Sequence, residues 1–297
     1  MKINIFLCEG AHDVAFLFRI FRLCGYSDLS NKLIKDLPEL FKKYILKQIE
    51  EFDYQSGNLF GKPILPIILK KEVAQLKIND NEQNSNFLDN KSSIEKQTDK
   101  NSDFVLLYGV GGIKKINETK SIIHAFKALL NSSTFNKKEK IECSVAFIID
   151  ADNEGVEKRT IEIKRNFEKD FTNLHKLTHN SYVEDEKFLK IGLYVFSNHD
   201  GLGKLEDIIF PLMKSNNEKI FDDAKIYFDT HFDKERTKKN NVEEMKSLIG
   251  ISGQLQYSGV SNRDIIKQSD YLNEEKLKTD EKCVELIEFI NNFCLNK

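Results

Sequence analysis

Residues 147–155 read FIIDADNEG. Three apolar residues, two of them β-branched, run directly into two aspartates and a glutamate before a glycine. With the preceding residues, SVAFIID (144–150) reads as a strand buried on both faces, as in a parallel sheet, that ends on an acid. Ligands of open α/β sheets bind beyond the carboxyl ends of the strands. If the chain stays extended through Asp152, then Asp150 and Asp152 point to the same side. Carboxylates that converge repel one another, and a hard divalent cation such as Mg2+ offsets that repulsion.

The first strand repeats the pattern. INIFLC (3–8) is an apolar run of β formers, and Glu9 and Gly10 follow it at once. Apolar residues at 14, 17, 18, 21 and 24 then mark one face of a helix, which Gly25 ends. Asp13 opens that helix, where a turn at Gly10 brings it toward Glu9. FVLLYG (104–109) is a further strand that ends in glycines, at Gly109, Gly111 and Gly112. Glycines there leave a site open and lend backbone N–H groups to a phosphate. IGLYVFS (191–197) is a fourth strand. It leads to Lys204, Glu206 and Asp207 at the start of another helix, and one of the two adjacent acids can reach a site. Acids at helix starts are also ordinary caps, which is the plain alternative for Asp13, Asp152, Glu206 and Asp207.

Strands alternating with amphipathic helices predict an α/β fold with a mostly parallel sheet covered on both faces. Helices are expected near 117–130, 156–171, 204–213, 217–230, 235–249 and 278–293. The core comprises residues 1–27 and 103–214, and a helical C-terminal extension over 215–297 packs on it. Residues 28–102 read as a largely helical insertion. Within it, 57–70 is an irregular connector, 71–78 a short helix and the polar stretch 79–102 a mobile loop.

The formal net charge of -2 gives no global attraction to nucleic acid, so any such surface must be local. Lys114 and Lys115 after the glycines, Lys158 and Arg159 after the acidic turn, and Lys204 place positive charge around the acidic strand ends. A lysine-rich solvated surface is the bland reading of the same residues. The five cysteines follow no metal or secreted spacing, which suits a reducing, cytoplasmic setting. No stretch approaches the roughly 20 apolar residues of a membrane span. GVGG lacks the Gly-Lys-Ser/Thr of a nucleotide P-loop, so any ATP-driven step would come from a partner.

The order Glu9-Gly10-x-x-Asp13, then strand-GVGG, then Asp150-x-Asp152, resembles the Toprim domain. The resemblance is closest to the small relatives of the OLD-family nucleases, through Gly203, Glu206 and Asp207. It covers residues 2–25 and 103–214, with a fainter extension over 240–293. It implies a Toprim-like, Rossmann-like fold and a nuclease that cleaves phosphodiesters in DNA or RNA with one or two Mg2+ or Mn2+ ions. It further implies Glu9, Asp13, Asp150 and Asp152 at one ion, Glu206 or Asp207 at a second, and a basic residue, Lys246 or else Lys267, near the phosphate. Glu9, Asp150, Asp152 and Lys246 are then the catalytic set. Gly10, Gly109, Gly111, Gly112, Lys114, Lys115, Lys158, Arg159 and Lys204 would contact nucleic acid. Relatives of this type serve in anti-phage defence, some beside an ATPase or other regulatory protein, and oligomers are compatible with it. The competing readings are a metal-dependent phosphatase or phosphotransferase on a small substrate, and a degenerate Toprim module that binds without catalysis.

Overall fold

The computed structural model describes residues 2–29, 66–71, 103–111, 115–131, 141–233 and 243–294. Strands β1 (Lys2–Cys8), β4 (Asp103–Gly109), β5 (Glu142–Asp150) and β7 (Lys190–Phe196) form the parallel centre of a sheet. Strands β2 (Tyr26–Asp28), β3 (Ile67–Lys71) and β6 (Ser181–Glu184) join it antiparallel at the two edges. The order across this seven-stranded sheet is β2-β3-β4-β1-β5-β7-β6.

Alternation along each central strand divides the apolar side chains between two layers. Ile3, Ile5 and Leu7 of β1 join Phe104, Phe147 and Leu193 on one face. That face is covered by helices α2 (Ile116–Asn131) and α3 (Gly155–Phe167). Phe6 and Cys8 face the opposite layer, with Val105, Ile148 and Tyr194. There the cover is α1 (Ala11–Leu23), α4 (Leu205–Lys214), α5 (Glu218–His231), α6 (Glu244–Gly253), α7 (Asn262–Gln268), α8 (Glu274–Thr279) and α9 (Glu281–Cys294). Phe6 meets Phe21 of α1 at 5.0 Å and Phe293 of α9 at 5.5 Å, both edge to face. The C-terminal helices therefore share one core with the sheet.

Several elements differ from the expectations. The stretch 57–70 contains a strand where an irregular connector was expected, and Lys71 belongs to that strand rather than to a helix. Of the insertion, residues 28, 29 and 66–71 are described, and they hold the last residue of β2 and the whole of β3; the other residues, including the expected loop at 79–102, lie outside the described residues. β6 is not among the expected strands, because an edge strand exposed on one side needs no continuous apolar run. The helix expected over 235–249 is described from Glu244 and continues to Gly253. Its glycines are there for packing: a Cβ at Gly253 would stand 2.3 Å from the Ile265 side chain of α7. No helix among the described residues is long and apolar enough to cross a membrane.

Candidate active site

The carboxyl ends of β1, β4, β5 and β7 meet at one edge of the sheet. Cys8 lies opposite Gly109 on one side and Ile148 on the other, and Asp150 lies opposite Phe196. β5 thus projects two residues past β1. The next residue of β1's chain, Glu9, donates its N–H to the Ile148 carbonyl at 3.1 Å, and its carboxylate accepts the Asp150 N–H at 3.0 Å. Backbone pairing alone thereby brings the two strand-end acids together.

They open onto a cleft of about 510 Å³ lined by Glu9, Gly10, Ala11, His12, Asp13, Asp150, Asp152, Lys204, Glu206, Glu243 and Lys246. Asp13 is 4% exposed and accepts the Gly10 N–H at 2.6 Å, closing the first turn of α1. Asp150 accepts the Leu205 N–H of α4 at 2.9 Å. Among the described residues, neither Asp13 nor Asp150 has a cationic side chain within 4 Å. Burial, opposed by the Gly10 N–H and reinforced by Glu206 and Glu9, pushes the Asp13 pKa up to about 7. Burial, then the Asp13 and Glu9 charges, holds that of Asp150 well above the usual carboxylate range.

The other acids are paired. Glu206, 2% exposed, meets His12 Nδ1 at 2.8 Å, Lys246 Nζ at 3.6 Å and Lys204 Nζ at 4.0 Å. Burial alone would raise its pKa, but the His12 hydrogen bond and the nearby ammonium groups outweigh burial and lower it. Burial acts against the charged form of Lys246 as well, and the Glu206, Glu243 and Asp150 charges outweigh it and raise its pKa. Glu9 is bound by Arg159 Nη2 at 2.9 Å.

Some site residues stand differently from expectation. Asp152 has left the strand: its φ is +50°, and its backbone pairs with Gly203 in an isolated antiparallel bridge. It reaches the cleft through this turn and not by strand alternation. Asp207 is a cap, accepting the Lys204 N–H at 2.7 Å, and Glu206 is the member of the pair that faces the cleft. Arg159 does not stand on the rim. It is 6% exposed, and its guanidinium is committed to Glu9, Glu162 and the Asp150 carbonyl. Lys158 is exposed and pairs with Glu154. Lys267 lies elsewhere, beside Asp28 and over the Phe18 ring, so Lys246 is the basic residue at the cleft. Gly109 abuts the Gly10 carbonyl, and the Lys115 side chain folds over Gly111. Gly112 and Lys114 lie outside the described residues. His199 is exposed in the turn between β7 and α4.

Glu243 and the pairing role of Arg159 are not evident from motif reading. Arg159 does leave a trace, since it lies four residues before Ile163 and eight before Phe167, on the buried stripe of α3.

Among the described residues, no three acidic, histidine or cysteine side chains are already gathered as a metal shell. The donor chemistry nevertheless suits a hard cation. Six carboxylates line one cleft, and among the described residues two of them, Asp13 and Asp150, have no cationic partner within 4 Å and no thiol lines the cleft with them.

No curated protein matches the chain. A structural comparison finds a hypothetical protein from Pyrococcus horikoshii OT3, with a TM-score of 0.47 and 17% identity over 99% of this chain and 95% of that one. A family model described as a protein of unknown function, DUF3226, matches residues 3–295, and the chain belongs to that family.

Proposed function

We infer that the protein is a divalent-metal-dependent nuclease of the Toprim type. The observation that carries this reading is the meeting of Glu9, Asp13, Asp150, Asp152 and Glu206 with Lys204 and Lys246 in one open cleft at the carboxyl edge of the sheet. Asp13, Asp150 and Glu9 would hold Mg2+ or Mn2+, with Asp152 at the open side. Such an ion, when bound, supplies Lewis-acid charge to a phosphodiester and lowers the pKa of a coordinated water. The protein's own groups do the rest. Lys246, held by Glu206 and Glu243, presents an ammonium group to the negative charge that grows on the phosphate. Lys204 stands beside it, a quarter exposed, for a neighbouring phosphate. Glu206 orients His12 and Lys246 through its Oε1. The cleft is open enough for a polymer to cross it, which favours a nucleic acid over a small phosphate ester.

The Arg159–Glu9 ion pair supports a second reading, a module that binds nucleic acid or protein without cleaving it. Incubation with plasmid DNA and with structured RNA, in Mg2+, Mn2+ or EDTA, separates the two. Asp150→Asn is the control, because its amide oxygen still accepts the Leu205 N–H. Cleavage that needs the metal and disappears in this variant supports the nuclease. Binding without cleavage in any metal supports the second reading, and cleavage that survives Asp150→Asn refutes this site.

A further inference from the structure

The guanidinium of Arg159 occupies an unusual place. Within 4 Å of it lie three carboxylates: Glu9 at 2.9 Å, Glu162 at 3.1 Å and Asp152 at 3.8 Å. Its Nε also donates to the Asp150 carbonyl at 2.8 Å. Three acids and a backbone carbonyl are the oxygen set that a hard divalent cation takes. Here they surround a permanent monovalent cation, buried under α3 and fixed by the helix. Glu206 is likewise satisfied, by His12, Lys246 and Lys204. Among the described residues, Asp13 and Asp150 have no cationic side chain within 4 Å, and the second oxygen of Glu9 lies with them.

We propose that Arg159 is a resident counter-cation that fills the place of a second metal and limits the cleft to a single divalent ion at Asp13, Asp150 and Glu9. The proposal rests on the metal reading above and deepens it, since that reading is compatible with one ion or two. Arg159 is a positioning residue in this scheme. By taking Glu9 Oε2 it leaves Oε1 for the ion, and by holding the Asp150 carbonyl it fixes the turn that carries Asp152.

The test is a Mn2+ titration of the metal-free protein, with free Mn2+ followed by electron paramagnetic resonance and stoichiometry checked by calorimetry. The wild type should bind one ion. Arg159→Gln, which uncovers Glu9, Glu162 and Asp152, should bind two. Arg159→Lys restores a positive charge and should return the count to one. These readouts do not depend on catalysis. Two ions in the wild type overturn the proposal while leaving the metal reading intact. One ion in a folded Arg159→Gln also overturns it. No ion in the wild type overturns both. Should Arg159→Gln fail to fold, Arg159→Met takes its place, with two ions expected and one ion overturning the proposal.

Discussion

Asp13→Asn should stabilise the metal-free protein, and the gain should grow with pH. Asp13 is buried at the foot of the cleft, and its pKa rises from 3.8 to about 7, chiefly through burial, against the Gly10 N–H and with help from Glu206 and Glu9. Taking 3.8 for the unfolded chain, the folded state holds a proton more tightly than the unfolded one. Below about pH 4 both states are protonated and Asp13 carries no penalty. Between about pH 4 and 7 the fold loses about 1.4 kcal/mol per pH unit, reaching a ceiling on the order of 4 kcal/mol above pH 7. Asparagine is neutral throughout and keeps an oxygen for the Gly10 N–H. Neighbouring charges relax when the carboxylate ionises, so a gain of roughly 1–3 kcal/mol at pH 8 is expected, or about 2–6 °C in Tm for a chain of this size. Thermal unfolding in EDTA at pH 4.5 and pH 8 measures it. Saturating Mg2+ should reverse the order, because the wild type alone gains binding energy. An Asp13→Asn protein less stable than wild type at pH 8 in EDTA, or a gain of equal size at both pH values, would refute the reasoning.

Lys246→Met, which removes an ammonium group from the cleft, should lower the proposed cleavage rate by about 10²-fold or more. The same change should leave Mn2+ affinity equal or higher, because it removes a cation from the cleft; a parallel loss of metal binding would contradict the assigned role. Gly203→Ala should destabilise by roughly 1–3 kcal/mol, its φ being +93° with a Cβ placed 2.5 Å from Asp207 Oδ2. Gly201→Ala, where nothing stands within 4 Å of an added Cβ, should cost less in the same urea titration, and equal losses would count against the contact. Gly192→Ala should also lose roughly 1–3 kcal/mol, because its Cβ would stand 2.8 Å from the Phe293 ring where α9 packs on β7. An unchanged unfolding midpoint would show that α9 yields there at no cost.

How legible each part was follows from its burial. β1, β4, β5 and β7 are covered on both faces, so their sequences are mainly apolar runs, with Asn4 and Ser144 buried among them, and their ends could be read to within a residue or two. β3 and β6 lie nearer the sheet's margins. They are short, and β6 is half exposed, which dilutes the signal below that of a connector. α7 and α8 are only seven and six residues long, too short for helical periodicity to declare itself. At the cleft, strand ends were sufficient to single out Glu9 and Asp150. What sequence could not supply was the neutralisation pattern. Arg159 reads as one more basic residue after an acidic turn until the helix stripe places it inward beside Ile163 and Phe167. The pairing of Glu206 with His12 spans 194 residues and has no local signature.

The most direct test is a crystal structure of the protein grown or soaked with Mn2+, with the ion located by its anomalous scattering. One peak is expected in the cleft, within bonding distance of the Asp13 and Asp150 carboxylates, with Arg159 still against Glu9. A cleft without a peak at millimolar Mn2+, or a peak held by other residues, would contradict it.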